Sequence, residues 1–302
     1  MQGTPIRDVS DTAFMVATFR GMEGERKDAL FSDPLAAELA GEHGRKIVAS
    51  LPGGEPRTQL MAWMMAVRTV IIDNFILTCL AEGTDAVLCL GAGLDTRPYR
   101  MALPQPLFWI EVDFPHMIEF KENRLANRTA CCHVERVPLD LSDLAARRSL
   151  MHSVGTRFKR VLVLTEGVVP YLTNEAVAGL AQDLAAEPAF SHWIVDYLAP
   201  GTARFTRRRG GAMRNAPFLF DPKNPFDFFR DQGWPTREVR YLRDEGRRLH
   251  RPVPMPGWLR RVVRLRSLFM SRARREHMRK FMGYMLLDRS ERGSASPAGP
   301  SP

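Results

Sequence analysis

The sequence predicts an α/β fold in which a mostly parallel sheet is covered by helices on both faces. Hydrophobic runs typical of buried strands recur along the central part of the chain, near 86–91, 107–113, 134–139, 160–165 and 191–198. Helical patterns separate these runs, and strand alternating with helix indicates parallel strands joined by crossover helices. Two further strands, near 237–242 and 281–287, would bring the sheet to seven strands.

The predicted helices have recognisable starts and stops. Asp33 is a capping residue placed before Pro34, and proline is favoured in the first helical turn. Gly83 is expected to end a long helix, because glycine readily takes the left-handed conformation found after helices. The helical patterns lie at 12–20, 34–41, 57–81, 114–126, 142–153 and 173–186.

A glycine turn and an acid follow two successive strands between residues 87 and 115. Gly91 and Gly93 lack a Cβ, so the backbone can turn tightly and a ligand can approach it closely. Asp113 lies 22 residues after Gly91, at the end of the next strand, where a carboxylate can accept hydrogen bonds from a ribose diol. Glu111 is expected to point into the sheet face instead. The pattern predicts a site for an adenosine-bearing cofactor.

Two nucleotide-binding motifs are missing from this stretch, and their absence narrows the choice of cofactor. A dinucleotide fingerprint has a third small residue where this chain has Thr96, followed by Arg97 and Pro98. A phosphate-cradling G-x-x-x-x-G-K-[ST] run is also absent from the sequence. A cofactor with a ribose and no required phosphate remains, and S-adenosylmethionine fits that description.

Several separated segments of the chain resemble the leucine carboxyl methyltransferase family and its bacterial small-molecule O-methyltransferase relatives. The resemblance runs from about residue 11 to residue 198 and implies a Rossmann-like class I methyltransferase with a seven-stranded sheet and S-adenosylmethionine as cofactor. The segments that carry it are AVRTVIIDNFI (66–76), LGAGLDTRPYR (90–100), WIEVDFPHMIEFK (109–121), PLDLSD (138–143), TEGVVPYLTNEAV (165–177) and HWIVDYL (192–198).

The resemblance also implies which residues hold the cofactor. Arg68 would pair with the methionine carboxylate, Asp113 would hold the ribose, and Glu166 would face the amino group or the sulfonium. The backbone turn would line the cofactor, and two residues after the third strand would frame the adenine. The full set is Arg68, Gly91, Ala92, Gly93, Asp113, Asp140, Leu141 and Glu166.

The residue types at these positions agree with the implied roles. An arginine within an apolar helix needs a partner, and a guanidinium can grip a carboxylate with two hydrogen bonds. Arg68 could instead extend to the surface or pair with Asp73. Asp113, Asp140 and Glu166 each follow a strand, and ligands of open parallel sheets bind outside the carboxyl ends of the strands.

The expected chemistry is a direct displacement at a methyl carbon, so the protein must align a nucleophile and exclude water. A carboxylate acceptor is already ionised at neutral pH, whereas a phenol benefits from a nearby proton acceptor. Candidates for that base are His116, His133, Tyr171 and Asp196, and we favour Tyr171 and Asp196 because they stand in the family-like segments.

Two departures from the eukaryotic members of the family bear on the substrate. Those proteins place a lysine in the N-terminal helix, where this chain offers Arg20 at a different offset. The segment APGTARFTRRRGG (199–211) does not match the members that bind a phosphatase. We therefore expect a small-molecule acceptor, such as a polyketide-type natural product, rather than a protein C-terminal leucine.

Length and composition fit a single globular enzyme. The chain has 302 residues, of which 45% are hydrophobic, and no apolar run near its N-terminus has the form of a signal peptide or membrane span. A cytoplasmic location is therefore expected. The four cysteines have no metal-ligand spacing and are predicted to be buried thiols, at Cys79, Cys89, Cys131 and Cys132.

The net charge of +9 is distributed unevenly along the chain. Residues 201–302 carry 24 Lys and Arg against 9 Asp and Glu, whereas residues 1–200 carry 19 against 25. A predicted amphipathic helix at 257–275 places Trp258, Val262, Leu265 and Phe269 on one stripe among arginines. This helix could cover the active site, dock on an acidic carrier protein, lie on an anionic membrane surface, or pack on the sheet. The spacing of aromatics argues against nucleic-acid binding.

We expect one methyltransferase domain over residues 1–292. Arg207 to Arg209 are expected to lie in a mobile loop. The parts of the domain are a helical N-terminal cap at 1–82, a cofactor-binding core at 83–200, a basic lid or insertion at 201–278, a final strand at 279–289, and a disordered tail beyond it at 293–302.

Two other functions remain open from the sequence. The glycine turn also suits a nicotinamide-dependent oxidoreductase. A catalytically inactive methyltransferase fold could also serve as a basic scaffold for a membrane or carrier protein.

Overall fold

A computed structural model describes residues 9–209, 216–257, 261–262, 265–266 and 269–289 of the chain. Seven strands form one sheet, and each of their ends lies within one residue of the predicted position. They are β1 (Ala86–Leu90), β2 (Phe108–Asp113), β3 (His133–Pro138), β4 (Val161–Thr165), β5 (Phe190–Leu198), β6 (Thr236–Tyr241) and β7 (Met282–Asp288).

The strand order is β3-β2-β1-β4-β5-β7-β6. The first five strands pair in parallel, whereas β7 runs antiparallel between β5 and β6. The predicted seven-stranded, mostly parallel sheet is therefore confirmed. Because the order reverses direction between β1 and β4, a crevice forms there at the carboxyl ends of the strands.

The described helices include the six that the sequence predicts before residue 200. They are α1 (Val9–Gly24), α2 (Pro34–Ala49), α3 (Gly54–Ala81), α4 (Arg97–Arg100), α5 (Pro115–Leu125), α6 (Leu144–Arg157), α7 (Asn174–Ala186), α8 (Thr202–Arg209), α9 (Pro225–Asp231), α10 (Leu242–Arg248) and α11 (Arg272–Arg279), together with a 3-10 turn at Val169–Tyr171.

The predicted caps of two helices are present. Asp33 accepts a hydrogen bond from the backbone N of Ala36 at 3.1 Å, and Gly83 follows α3 with a φ of 90°. The predicted end of α2 at Gly41 is wrong. Gly41 kinks the helix with a φ of 55°, but α2 continues because Ile47 and Val48 are buried against α1.

Helices cover both faces of the sheet, as predicted. On one face, Ile71 and Phe75 of α3 pack on Val87 and Leu162. On the other face, helices α6 and α7 pack on the alternate residues of the same strands, such as Leu88. By length and composition α3 could cross a membrane, with a mean hydropathy of 1.6, but 56% of its apolar stretch is buried. In this structure α3 is a core helix that packs on one face of the sheet.

Several predictions for the C-terminal third are wrong. Arg207 to Arg209 form the last turn of α8 rather than a loop, and Asp221 anchors the start of that helix by accepting from the backbone N of Gly201. The predicted helix 257–275 is interrupted at 269–271, where Ser271 caps α11 by accepting a hydrogen bond from the backbone N of Arg274. Trp258 and the tail at 293–302 lie outside the described residues.

One of the four cysteines departs from its prediction. Cys79, Cys89 and Cys132 are buried, whereas Cys131 is exposed. Both Cys131 and Cys132 lie in a bend just before β3, and in that bend Cys131 is the residue that faces solvent.

Candidate active site

A cavity of about 900 Å³ lies where the parallel strands end. Its wall includes Gly91 after β1, Asp113 at the end of β2, Glu166 after β4 and Asp196 near the end of β5. Arg68 of α3 lines the same cavity, so the two residues expected to hold opposite ends of one cofactor share a single space. Ligand pockets usually measure roughly 300–1,000 Å³, so this one has room for a cofactor and an acceptor.

The glycine turn forms the floor of the cavity next to Asp113. Gly91 and Gly93 have positive φ values of 69° and 47°, and a Cβ on Gly91 would lie 2.5 Å from Cγ2 of Val168. The backbone N of Gly93 donates to Oδ2 of Asp113 at 2.6 Å, and the backbone N of Phe114 donates to Oδ1 at 2.7 Å. These bonds fix the carboxylate at the rim, where its remaining lone pairs can accept from hydroxyl groups.

Glu111 lies in the sheet face, as predicted. Its side chain is fully buried and contacts Nζ of Lys121 at 2.7 Å and Nε of Arg136 at 2.9 Å. A buried carboxylate requires such cations, because an unpaired charge in the core would be strongly destabilising. Glu111 is therefore a structural residue, and Asp113 is the acid that faces the cavity.

Arg68 forms an ion pair with Glu166 rather than with Asp73. Nε of Arg68 lies 2.6 Å from Oε1 of Glu166, but the two atoms are not aligned for a hydrogen bond, and both lack a hydrogen-bond partner among the described residues. Burial opposes the charge on each group. The two guanidinium groups of Arg68 and Arg97 nevertheless lower the pKa of Glu166 to about 2, and Glu166 raises the pKa of Arg68.

Arg97 is a site residue that the sequence reasoning missed. It is fully buried, and it pairs with Asp73 at 2.7 Å, Asp95 at 3.0 Å and Glu166 at 2.6 Å. We call these four residues the Arg97 network. Asp73, which the sequence analysis considered as a partner of Arg68, instead forms ion pairs with Arg97 and Arg100. An arginine four residues after Gly93 was the available sequence signal.

The two residues expected beside the adenine also line the cavity. Oδ1 of Asp140 accepts a hydrogen bond from the backbone N of Ser142 at 2.8 Å, which orients the carboxylate. Leu141 is half-buried and presents apolar surface next to it. Arg20, at the position near the lysine of the eukaryotic members, also reaches the cavity wall, but it is held by Asp33 at 2.9 Å.

Two of the candidate bases line the cavity. Asp196 accepts a hydrogen bond from the backbone N of Gly167 at 2.9 Å and lies opposite Tyr284 across the β5–β7 ladder. Burial raises the pKa of Asp196 to about 6, although Arg68 acts in the other direction. Burial likewise raises the pKa of Tyr171 to about 12. Of the two, Asp196 is the group that is ionised and able to accept a proton near neutral pH.

The two histidine candidates lie elsewhere. His116 is exposed and does not line the cavity, and its Nε2 is 3.1 Å from Oγ of Ser10. His133 begins β3, so it stands at the opposite edge of the sheet from the crevice, where it packs on Phe108 with ring centroids 4.6 Å apart. Neither position suits contact with a methyl acceptor in the cavity.

The wall near Arg68 is rich in methionine and aromatic side chains. Sδ of Met65 lies 3.5 Å from Nη1 of Arg68, and the ring of Tyr284 lies 6.0 Å beneath the guanidinium. The sequence analysis did not identify Met65 or Tyr284 as site residues, because they come from distant parts of the chain. We call this part of the cavity the apolar chamber, and its wall includes Met61, Met64, Met65, Tyr171, Phe218, Leu242, Met282 and Tyr284.

Comparisons with known proteins define the class. A protein of Thermobifida fusca, provisionally named a methyltransferase, has a solved structure that aligns with 95% of this chain and 96% of its own, with a TM-score of 0.50 and 15% identity. At that identity the likeness concerns the fold alone. The sheet order and the cavity at its carboxyl edge are those of a Rossmann-like class I methyltransferase.

Sequence comparisons define the family within that class. The profile of the leucine carboxyl methyltransferase family matches residues 13–185. A Rhodococcus jostii protein is 33% identical over 273 residues, which is 82% of this chain and 90% of the relative. A Frankia alni protein is 30% identical over 260 residues, or 81% of this chain and 90% of the relative. Both are provisionally named S-adenosyl-L-methionine-dependent methyltransferases. The chain belongs to the leucine carboxyl methyltransferase family.

Proposed function

We propose that this S-adenosylmethionine-dependent methyltransferase methylates an oxygen atom of a small, largely apolar molecule, such as a polyketide-type natural product. Either a carboxylate or a phenolic hydroxyl could accept the methyl group, and we favour the hydroxyl. The observation that carries this proposal is the position of Asp196, an acid with a raised pKa in the wall of an apolar chamber that adjoins the cofactor residues.

The residues of the cavity suit the two ends of the cofactor. The amino-acid end of S-adenosylmethionine carries an α-carboxylate and an α-ammonium. The Arg68–Glu166 pair offers a cation for the carboxylate and an anion for the ammonium. Nε of Arg68 and Oε1 of Glu166 have hydrogen-bonding capacity to spare, which a zwitterion could use. Asp113 would accept hydrogen bonds from the ribose, while Asp140 and Leu141 would contact the adenine.

The Arg97 network would keep Glu166 ionised and in place for the α-ammonium. Nη1 of Arg97 contacts Oε2 of Glu166, so the carboxylate is held from behind while Oε1 faces Arg68. A site fixed before its ligand binds loses less conformational freedom on binding. Arg97 is accordingly a positioning residue in this proposal.

When bound, S-adenosylmethionine supplies an electrophilic methyl group on a sulfonium. The apolar chamber would orient the acceptor and exclude water, so that its oxygen lies in line with that methyl group. A hydroxyl would lose its proton to the Asp196 carboxylate as the new oxygen–carbon bond forms, while the sulfur–carbon bond of the donor would break and leave a neutral thioether. Tyr284, opposite Asp196, would help to keep that carboxylate oriented.

The charges around the chamber favour a hydroxyl over a carboxylate. Arg68 is the guanidinium that approaches Asp196 in the described part of the chamber, and Glu166 already balances its charge. A second carboxylate next to Asp196 would be repelled, because like charges in a buried site disfavour joint ionisation. A neutral hydroxyl avoids that repulsion and gains a proton acceptor.

Calorimetric titration with S-adenosylmethionine tests the cofactor site. Arg68→Ala and Asp113→Ala should each weaken binding more than tenfold, because each removes a charged contact to one end of the ligand. Arg128→Ala and Asp231→Ala alter exposed residues outside the cavity and serve as matched controls. Unchanged affinity in both site variants would contradict the assignment.

The same protein distinguishes the alternatives. Binding of NAD(H) without S-adenosylmethionine would favour an oxidoreductase, and binding of neither would favour a scaffold that has lost its cofactor. Methyl transfer from labelled S-adenosylmethionine should be tested on matched acceptors, such as 1-naphthol and 1-naphthoic acid. Preference for the acid would contradict the choice of a hydroxyl. A cytoplasmic location remains a prediction.

A further inference from the structure

The segment 257–280, which we call the basic segment, carries nine Lys and Arg against one Glu. It follows the cavity-lining helix α10 after a short connection and ends just before β7. Leu242 at the start of α10 and Met282 at the start of β7 both line the cavity. The C-terminal end of the basic segment therefore rejoins the sheet beside the proposed active site.

The described apolar side chains of the basic segment do not pack on the sheet. The exposed fractions are 40% for Val262, 60% for Leu265 and 91% for Phe269. Helix α11, which completes the segment, has no buried residue. The alternative in which this apolar stripe packs on the sheet is therefore wrong for the described residues, and exposed apolar surface of this kind often marks an interaction site.

The arginines of the same segment include several without acidic partners. Among the residues that the structure describes, Arg272, Arg274 and Arg275 have no carboxylate within 4.0 Å, whereas Arg279 lies 3.5 Å from Asp244. Arginines elsewhere on the surface are commonly paired, as Arg128 is with Glu38 at 2.6 Å. A partner for this surface must carry negative charge to pair with the arginines, and it must be able to bury the exposed apolar side chains.

We propose that the basic segment binds an anionic lipid surface. Phe269, Leu265 and Val262 would enter the boundary between headgroups and acyl chains, and Arg272, Arg274 and Arg275 would contact lipid phosphates. A bilayer accepts such side chains without a preformed groove, whereas an acidic protein would need pockets matched to each of them. This arrangement would hold the cavity next to the membrane, where an apolar acceptor could enter it.

Co-sedimentation of the full chain with vesicles tests this proposal. The protein should pellet with vesicles of phosphatidylcholine mixed with phosphatidylglycerol, and it should stay in solution with phosphatidylcholine alone. Added salt should weaken the binding, because it screens the charges. The double variant Leu265→Ser/Phe269→Ser should lower the partition coefficient at least tenfold. The triple variant Arg272→Gln/Arg274→Gln/Arg275→Gln should lower it by roughly 100-fold.

Matched controls separate a specific surface from general stickiness. Leu77→Ser changes a 45%-exposed leucine on α3, and Arg128→Gln removes an exposed arginine on another part of the surface. Both controls should bind anionic vesicles like the unaltered chain. Equal binding to both kinds of vesicle, or unchanged binding of the two basic-segment variants, would overturn the proposal. So would binding of a purified acyl carrier protein without vesicle binding, since that result would assign the segment to a protein partner. The outcome is independent of which oxygen the enzyme methylates.

Discussion

Replacing Asp196 with asparagine is expected to stabilise the protein at alkaline pH while removing the proposed proton acceptor. Burial raises the pKa of Asp196 from 3.8 to about 6, a change that corresponds to ~3 kcal/mol against the ionised side chain in the folded state. Asparagine is nearly the same size and can still accept the hydrogen bond from the backbone N of Gly167. The substitution therefore removes the buried charge and preserves the local contact.

The sign of the pH dependence follows from proton linkage. Between pH 3.8 and about 6 the folded protein binds more protons at Asp196 than the unfolded chain does, so stability falls as the pH rises through that range. The Asp196→Asn variant has no such loss. Its free energy of unfolding should exceed that of the unaltered chain by up to ~3 kcal/mol at pH 8, and the two should converge near pH 4.

Urea denaturation of both proteins at pH 4 and pH 8 measures this difference directly. Asp231→Asn, which changes an exposed carboxylate near the end of α9, is the control and should differ from the unaltered chain by less than ~0.5 kcal/mol at either pH. An equal stability difference for Asp196→Asn at both pH values would refute the reasoning. Loss of methyl transfer by ~100-fold or more, with retained cofactor binding, should accompany the gain in stability.

Two further substitutions test the packing around the site. Gly91→Ala places a Cβ 2.5 Å from Cγ2 of Val168 at a residue with a positive φ, so it should lower the free energy of unfolding by ~1–3 kcal/mol and weaken cofactor binding. Gly179→Ala is its control, because a Cβ there would meet nothing within 4 Å. In urea denaturation the control should be as stable as the unaltered chain or more stable by up to ~1 kcal/mol. Arg97→Leu leaves the three carboxylates of the Arg97 network without their shared cation and should cost ~3–5 kcal/mol of unfolding free energy, whereas Arg128→Gln at an exposed pair should cost less than ~1 kcal/mol. An Arg97→Leu variant as stable as the unaltered chain would contradict the network.

The sequence was most informative where a local pattern is sufficient. Strand ends follow from hydrophobic runs bounded by glycine and polar residues, and all seven strands were located within one residue. It was least informative in the C-terminal third, where helical periodicity through 269–271 concealed a break at Ser271. Serine is favoured at a helix N-cap and less favoured within a helix, but the hydrophobic periodicity on which the prediction rested takes no account of that preference.

The cavity wall shows a similar division. Gly91 and Gly93 follow β1, and Asp113 ends the next strand, so their proximity could be predicted from their spacing and from the direction of parallel strands. Tyr284 could not be predicted, because it reaches the chamber only through the antiparallel pairing of β7 with β5. The choice between Asp196 and His116 as a base likewise depended on which side chain lines the cavity.

The sequence by itself determined the α/β class, the strand positions and the acid of β2 that faces the cavity, because these depend on residue periodicity and on the spacing between successive strand ends. Only the tertiary structure decided that Glu166, rather than Asp73, pairs with Arg68, and that Arg97 holds Glu166 from 69 positions away. A buried arginine pairs with whichever carboxylate the sheet brings within about 3 Å, and that distance depends on strand order, which no local pattern encodes.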